Sequence, residues 1–283
     1  MKRLTWGLPP YRRSDRLLPI LGAALILALG GCGGDDGQEG GCPLNIVGNN
    51  NFEAEASFID TVNVTSQSQI TLVGVNGRVT ITGTAGATSI MISAIKRVQS
   101  ESPQDAELHL QKLNVDVQRL PNEVRVHTIQ PTCNEGRRYL VDYDITMPMN
   151  LRTSVTNLNG IITLDSLQNH VAVKNLNGNV TLTNILGGAL VRLLNGTING
   201  TLTMPLNETL DMKTLNGNID LKLPVNTTAQ FLAQISTGTI TVSNLVLQNE
   251  VKTSTSLSGT FGAGQGTISL VVDQFGDITV TGV

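Results

Sequence analysis

Four stretches of the chain repeat one another: VTNLNGIITL (155–164), VAVKNLNGNVTL (171–182), VRLLNGTINGTL (191–202) and MKTLNGNIDL (212–221). Each contains Leu-Asn-Gly, and the glycines of these tripeptides are 18, 18 and 21 residues apart. Self-similarity at a nearly fixed spacing close to 20 residues is typical of a solenoid or another stacked array. These glycines are Gly160, Gly178, Gly196 and Gly217.

Apolar residues recur at fixed distances from each hinge glycine, and polar residues separate them. Alternation of this kind places one set of side chains on one face of a strand. We therefore expect the apolar set to face a core and the Thr, Asn, Lys and Asp residues between them to face water. The apolar positions are Val155, Val173, Val191 and Met212; Leu158, Leu176, Leu194 and Leu215; Ile162, Val180, Ile198 and Ile219; and Leu164, Leu182 and Leu221.

Asn-Gly is a strong turn signal because both residues tolerate a positive φ angle, and two arrangements fit it. In a meander, each Asn-Gly would connect two antiparallel strands. In a solenoid, each would form a corner, and equivalent residues of successive coils would stack about 4.8 Å apart. The recurrence of one residue type at one phase favours the solenoid, since a single coil cannot bury its apolar side alone.

The pattern continues on both sides of the four repeats. Upstream, Gly77 lies in ITLVGVNGRVTIT (70–82), whose apolar residues have the same phase. Downstream, Gly238 and Gly259 follow at intervals of 21 residues and are predicted to be further hinges. The last two apolar runs, TISLVV (267–272) and DITVTGV (277–283), are predicted to cover the open end of the solenoid.

The region before residue 150 is predicted to be an irregular part of the same structure. Ser102-Pro103, followed by Asp105, is a signal for the start of a short helix. The runs NVDVQ (114–118) and EVRVHTI (123–129), separated by Leu-Pro-Asn, predict a hairpin. The fold class predicted from the sequence is therefore an all-β, single-domain solenoid.

The first 31 residues are typical of a bacterial secretion signal. A basic segment precedes the apolar run LLPILGAALILALG (17–30), which is too short for a comfortable membrane span. The run leads to Leu29-Gly30-Gly31-Cys32, which resembles the lipobox of bacterial lipoproteins. That resemblance implies that cleavage precedes Cys32 and that its thiol carries the lipid anchor. Gly33 after the cysteine, by the same resemblance, implies sorting to the outer membrane.

Residues 33–41 read GGDDGQEGG and are predicted to form a flexible tether. The predicted organisation is thus a signal peptide (1–31), lipidated Cys and tether (32–41), an irregular β region (42–150), and regular repeats with a C-terminal cap (151–283). If Cys32 is lipidated, Cys42 and Cys133 remain, and an oxidising compartment favours a disulfide between them. Two separate thiols are the alternative.

These features together resemble the bacterial putative-adhesin family, a domain of unknown function found on envelope proteins. The resemblance rests on VNGRVTI (75–81), the strand from Tyr139 to Pro148, and the Leu-Asn-Gly coils through Leu223. It covers roughly residues 52–283 and implies a β-solenoid and an envelope location. It carries over no catalytic residue.

The sequence predicts no catalytic, metal or cofactor site. The acidic residues after residue 150 fall at different phases of the repeat, so they do not stack into a pair for acid–base work. The three histidines are isolated from other metal-ligand residues. Only 14% of the residues are charged, and five of the 19 basic residues precede residue 32. The remainder carries 14 basic and 21 acidic residues, which argues against a nucleic-acid partner. The acids are Asp165, Glu208, Asp211, Asp220, Glu250, Asp273 and Asp277, and the histidines are His109, His127 and His170.

Two polar columns are candidates for ligand contacts. The first is the asparagine that precedes five hinge glycines. These asparagines could form a column that faces a ligand, or a stacked amide ladder whose residues also suit the turn, and the ladder is favoured. An outward threonine set would suit an ice- or glycan-facing surface, although Asn199 and Asp220 interrupt it, and β propensity alone explains threonine there. The asparagines are Asn76, Asn159, Asn177, Asn195 and Asn216, and the threonines are Thr163, Thr181 and Thr241, with Thr183 and Thr201 nearby.

The sequence therefore predicts a non-catalytic lipoprotein of the bacterial cell envelope. Its solenoid would present a polar surface to an unknown envelope protein or glycan, and its membrane contact would be the lipid on Cys32. A glycan-binding or glycan-cleaving β-helix is the alternative, and a groove holding two carboxylates within about 10 Å would favour it. An ice-binding protein is a third hypothesis, which requires a flat, regular and uncharged threonine array.

Overall fold

The computed structural model describes residues 48–283. Most of the described residues are in strands, with one short helix among them. The elements are β1 (Phe52–Asn63), β2 (Gln69–Val73), β3 (Val79–Thr84), β4 (Ser89–Ser100), α1 (Pro103–Leu110), β5 (Asn114–Arg119), β6 (Glu123–Ile129), β7 (Arg138–Pro148), β8 (Arg152–Asn159), β9 (Ile162–Asp165), β10 (Val171–Asn177), β11 (Val180–Ile185), β12 (Ala189–Asn195), β13 (Ile198–Leu202), β14 (Thr209–Asn216), β15 (Ile219–Leu223), β16 (Ala229–Thr237), β17 (Ile240–Ser243), β18 (Leu247–Lys252), β19 (Ser256–Phe261), β20 (Gly266–Phe275) and β21 (Ile278–Gly282).

The strands form two sheets that face each other across one core. Sheet A has ten strands in the order β1-β4-β7-β3-β9-β11-β13-β15-β21-β17, and sheet B has eleven in the order β18-β19-β16-β20-β14-β12-β10-β8-β2-β6-β5. Each coil contributes one strand to sheet B and the next strand to sheet A. Neighbouring coils pair in parallel. The solenoid is therefore confirmed, and the antiparallel meander is wrong.

Successive coils stack in register, as the repeat phase predicts. Val173 pairs with Val155 on one side and with Val191 on the other, and Val180 pairs with Ile162 and Ile198 in the opposite sheet. All six side chains are buried in the core between the sheets. Burying such a side chain stabilises a fold by about 1.5–3 kcal/mol. Because each coil buries its apolar side against two neighbours, the stack is held together along its length.

Four predicted core residues, however, lie outside the core. Leu158, Leu176, Leu194 and Leu215 do share one column, but they are half-buried on the outer side of sheet B. The reason is the period of two within a strand. Val155 points inward, so the residue at 157 also points inward and Leu158 points outward.

Each hinge glycine sits where two coils come into close backbone contact. Gly178 has φ +119°, and a Cβ atom there would lie 2.2 Å from the carbonyl oxygen of Gly160. Gly196 and Gly217 make the same approach to the glycine of the preceding coil. No side chain larger than hydrogen fits such a position, which is also strained for an L-residue.

The C-terminal strands do not form a cap, contrary to the sequence prediction. β20 lies between β14 and β16, and β21 lies between β15 and β17, so these strands form an inner coil. Its hinge is Gly276, at φ +145°, which stacks on Gly217 and in turn supports Gly238. Sequence phase missed Gly276 because phenylalanine replaces the asparagine before it. Gly259 is not a hinge; it lies within β19, which pairs antiparallel with β16.

The N-terminal end of the stack shows a related exchange of order. The coil β2–β3 lies between the coils β6–β7 and β8–β9, although it precedes both in the chain. Antiparallel strands β4 and β1 then extend sheet A beyond β7. The predicted hairpin is confirmed as β5–β6. The predicted helix is confirmed as α1, whose N-cap Ser102 accepts a hydrogen bond from the backbone N of Asp105.

The hinge column gives a direct test of the stacking geometry. We expect Gly178→Ala to lower the free energy of unfolding by about 2 kcal/mol or more, because the methyl group meets a backbone oxygen at a strained φ angle. Gly86→Ala is the matched control, since Gly86 also has a positive φ (+73°) but open space around its Cβ position. This substitution should lower the free energy of unfolding by only about 1–2 kcal/mol, because it introduces backbone strain without a steric clash. Urea unfolding followed by circular dichroism measures both, and equal losses would contradict the close contact.

Candidate functional site

The asparagine column is an amide ladder along one corner of the solenoid. The Nδ2 of Asn159 donates to the Oδ1 of Asn76 at 2.7 Å, and the Nδ2 of Asn177 donates to the Oδ1 of Asn159 at 2.7 Å. Asn195 and Asn216 continue the series at 2.8 and 3.0 Å. The side chains therefore satisfy one another, which confirms the ladder rather than a column of free amides. Phe275 takes the next place in the stack and ends the ladder.

A second polar column, which the sequence analysis missed, lies just inside the ladder. Asn157 donates to the carbonyl oxygen of Gly77 at 3.2 Å, and Asn175 donates to that of Gly160 at 2.9 Å. Thr214 does the same for Gly196 at 3.3 Å. These buried groups satisfy hinge carbonyls that would otherwise lack a partner. The sequence does carry a signal for this column. Asn157, Asn175 and Thr214 each lie three places before a hinge glycine, at an inward-facing position.

The outer side of sheet A carries a broad polar surface, which we call the threonine face. It consists of two adjacent columns, one from each outward position of the coil strands. Parallel pairing places Thr80, Thr163 and Thr181 in one column and Thr183 and Thr201 in the other. Most of its members are threonine. The columns are Asp144, Thr80, Thr163, Thr181, Asn199, Asp220, Thr279 and Thr241; and Thr146, Thr82, Asp165, Thr183, Thr201, Lys222, Thr281 and Ser243.

The acidic residues of the repeat region do not converge. Asp211 pairs with Arg192, and Asp273 pairs with Lys213 at 2.7 Å, both on sheet B. Asp277 accepts hydrogen bonds from the backbone N and the Oγ1 of Thr239 at 2.7 and 2.8 Å, which lower its pKa. These contacts give the carboxylates structural partners.

The histidines occupy three separate environments. His127 is exposed on β6, and His170 is half-buried with its pKa lowered by burial. His109 is buried in α1, where its Nδ1 lies 2.5 Å from the hydroxyl oxygen of Tyr139. Within residues 48–283, no three His, Cys, Asp or Glu side chains are grouped so that they could hold a metal ion.

An ionic cluster fixes α1 to the N-terminal end of the stack. Arg137 donates from Nε and one terminal nitrogen to the two oxygens of Asp105, at 2.6 and 2.9 Å. Its other terminal nitrogen donates to Glu135 at 2.5 Å. The hydrogen bonds from Arg137 hold the pKa of Asp105 at about 2, and the hydroxyl of Ser100 adds to this effect. Burial lowers the pKa of His109 beside this cluster.

A cleft of about 500 Å³, the Arg78 cleft, opens next to this cluster at the first rung of the ladder. Its walls combine arginines, amides and aliphatic side chains. A second cleft, of about 350 Å³, lies at the opposite corner of the coils, near Met149, Leu186 and Val283. No carboxylate lines either of these two clefts. The residues of the Arg78 cleft are Asn76, Gly77, Arg78, Gln130, Asn134, Arg137, Arg138, Tyr139, Leu140, Asn159, Gly160 and Ile161.

The predicted modification sites lie mostly outside the described residues. Cys32, the predicted lipidation site, and Cys42 both precede residue 48. Cys133, in the loop between β6 and β7, is disulfide-bonded. Its pairing with Cys42 stays a prediction.

Comparison with protein families identifies the regular part of the solenoid. Residues 151–281 match the family model described as Toastrack DUF4097, a domain of unknown function. The matched residues begin at β8 and end within β21. The resemblance to a putative-adhesin family of unknown function, inferred from the sequence, is thereby confirmed.

Two solved structures similar to this chain are described as a putative cell adhesion protein and a putative adhesin. A putative cell adhesion protein from Clostridium sporogenes is 12% identical with a TM-score of 0.46, covering 81% of this chain and 100% of that one. A putative adhesin from Bacteroides fragilis is 10% identical with a TM-score of 0.33, covering 81% and 97%. Comparison with curated proteins gave no match. Within residues 48–283, no helix is long and apolar enough to cross a membrane.

The ionic cluster predicts a specific loss of stability in acid. Because the pKa of Asp105 is depressed in the folded state, its contribution is full above the unfolded pKa of about 3.9 and is lost as the pH falls towards 2. We expect wild-type protein to lose roughly 2 kcal/mol of unfolding free energy from this group between pH 5 and 2.

Urea unfolding across that range tests the acid prediction. Asp105→Asn should be less stable than wild type at pH 5 and should show a smaller further loss on acidification. Asp116→Asn is the control, because Asp116 bonds only to Gln118 among the contacts described here, and it should keep the wild-type acid profile. Parallel pH profiles for wild type and Asp105→Asn would contradict the role of the Arg137 pair.

Proposed function

We propose that this protein is a non-catalytic lipoprotein of the cell envelope whose solenoid presents the threonine face to another envelope component or an extracellular glycan or protein. The threonine face is the observation that carries the proposal. It repeats one small hydrogen-bonding side chain over successive coils. Beside it, the described carboxylates and histidines are paired or dispersed rather than convergent.

The physical properties of this face suit adhesion. A threonine hydroxyl both donates and accepts a hydrogen bond, and the β-branched side chain is already stiff at χ1. Ordering it on a partner therefore costs less conformational entropy than ordering a long charged side chain. Coils about 4.8 Å apart hold the hydroxyls in a rigid series. Many weak contacts then act together on a repetitive partner.

The competing functions have less support. A glycan-cleaving β-helix needs two carboxylates across a groove, and the two clefts described above lack such a pair in their linings. An ice-binding surface needs an uninterrupted hydroxyl array. Asp165, Asp220 and Lys222 place charges within the columns of the threonine face.

The anchor in this proposal comes from the sequence. The lipobox-like Leu29-Gly30-Gly31-Cys32 would supply the lipid, and residues 33–41 would hold the solenoid away from the bilayer. The residue after the cysteine favours the outer membrane.

One experiment compares the two sheets within a single coil. Thr163 on β9 and Ser154 on β8 are both half-buried outward positions, one on sheet A and one on sheet B. All proteins in this comparison carry Cys32→Ser, so that the lipid does not itself hold them to membranes. We expect Thr163→Arg in this form to cosediment with isolated cell envelopes at least about tenfold less than the Cys32→Ser protein, since a long cation projects from the binding face. Ser154→Arg should bind like the Cys32→Ser protein. Equal binding by both variants, with both folded by circular dichroism, would refute the threonine face as the contact.

A second experiment tests the anchor. We expect Cys32→Ser to move the protein from the membrane fraction to the soluble fraction and to abolish incorporation of labelled palmitate, because one thiol carries the lipid. Cys42→Ser is the matched control and should remain in the membrane fraction. Equal membrane association of the Cys32→Ser and wild-type proteins would contradict lipidation.

A further inference from the structure

We propose that the Arg78 cleft binds the carboxylate of an acidic sugar, such as a uronic acid residue of a polysaccharide. This inference rests on the proposed binding role and assigns it a ligand class. It concerns a part of the surface separate from the threonine face, because the cleft lies at the hinge corner and the threonines lie on the flat outer side of sheet A.

The cleft exists because one corner of the stack is expanded. Elsewhere a short turn around a hinge glycine joins the sheet B strand to the sheet A strand of a coil. Between β6 and β7, residues 130–137 replace that turn. This longer loop stands beside the corners at residues 76–78 and 159–161 and leaves about 500 Å³ between them. Ligand sites for small molecules have volumes of about 300–1,000 Å³.

The charge in the cleft is positive and largely uncompensated. Arg137 is neutralised by Asp105 and Glu135. Arg78 and Arg138, by contrast, are exposed and have no ion pair among the described residues. No aspartate or glutamate lines the cleft. Both arginines line the cleft, and the planar N–H donors of a guanidinium group fit a carboxylate in a bidentate manner.

The remaining walls favour a sugar over a simple anion. The Oε1 of Gln130 is buried and, within residues 48–283, has no hydrogen-bond partner. A buried acceptor of this kind is satisfied by a ligand that donates a proton, as a sugar hydroxyl does. Ile161 is 50% exposed, and together with Leu140 it offers aliphatic surface in the cleft. A pyranose ring has a C–H face for such a surface, hydroxyls for the amides and, when oxidised at C6, a carboxylate for the arginines.

Calorimetric titration of the full-length protein with sodium glucuronate and with glucose tests this assignment. The two sugars differ in the C6 group, a carboxylate in one and a hydroxymethyl in the other. We expect glucuronate to bind at least about tenfold more tightly, because charge-assisted hydrogen bonds contribute about 1.5–3 kcal/mol. Added salt should weaken glucuronate binding, since the arginines are exposed.

Variants locate the site. Arg78→Gln and Arg138→Gln should each weaken glucuronate binding about tenfold and reduce the preference over glucose. Arg152→Gln is the matched control, because Arg152 is also an exposed arginine without a described ion pair but lies on sheet B. It should bind glucuronate like wild type. Thermal unfolding of each variant excludes loss of fold as the cause.

Several outcomes would overturn the proposal. They are equal affinity for glucose and glucuronate, glucuronate binding that survives both arginine substitutions, and no detectable heat with either sugar. Tighter binding of an N-acetylated dipeptide with a free C-terminus would assign the cleft to a peptide carboxylate instead. The proposed function is judged separately by Thr163→Arg, which should leave glucuronate binding unchanged while it lowers envelope cosedimentation at least about tenfold.

Discussion

The structure depends on the close approach of one coil to the next at the hinge corner. There, a glycine backbone packs on the carbonyl oxygen of the glycine below it, at a distance that excludes a Cβ atom. This contact sets the spacing and the rotational position of the coils that carry a hinge glycine, from Gly77 to Gly238. Three features follow from that alignment. They are the in-register pairing of valines and isoleucines in the core, the amide ladder outside the corner, and the residues inside the corner that donate to the hinge carbonyls.

The same alignment produces the candidate binding surfaces. Because successive coils repeat one another, threonines at the same position of the repeat form a column. The columns of two outward-facing positions together form the threonine face. The Arg78 cleft arises where the repetition fails, since residues 130–137 are too long for a tight corner. The regular part of the stack thus supplies a repetitive surface, and its irregular end supplies a concave one. A repetitive partner suits the first, and a compact charged ligand suits the second.

Much of this architecture is readable from the sequence, because the Leu-Asn-Gly phase reports the hinge directly. The alternation of Val155 or Ile162 with polar neighbours identifies the core face, and Ser102-Pro103 identifies the helix. Three features are not predicted correctly from the sequence, each for a physical reason. The inward prediction for Leu158 is wrong because the two-residue alternation of the strand continues up to the corner. The position of β20 and β21 depends on which strands they pair with, and the repeat pattern does not determine the order of strands in a sheet. The cleft depends on how a loop folds back, and no local pattern encodes that.

The exchanged order of coils at the C-terminal end has a consequence for how the molecule assembles. In an ordinary solenoid, each new coil docks on the one made before it, so ordered structure can grow steadily along the chain. Here β16 pairs with β19 and β20, and β17 pairs with β21, all of which come later in the chain. Ala229 pairs with Gly266 and Ile240 pairs with Ile278, so the parallel partners lie 37 and 38 residues further on. Residues 229–283 therefore form as one cooperative unit, and the stack cannot grow one coil at a time through this end of the chain.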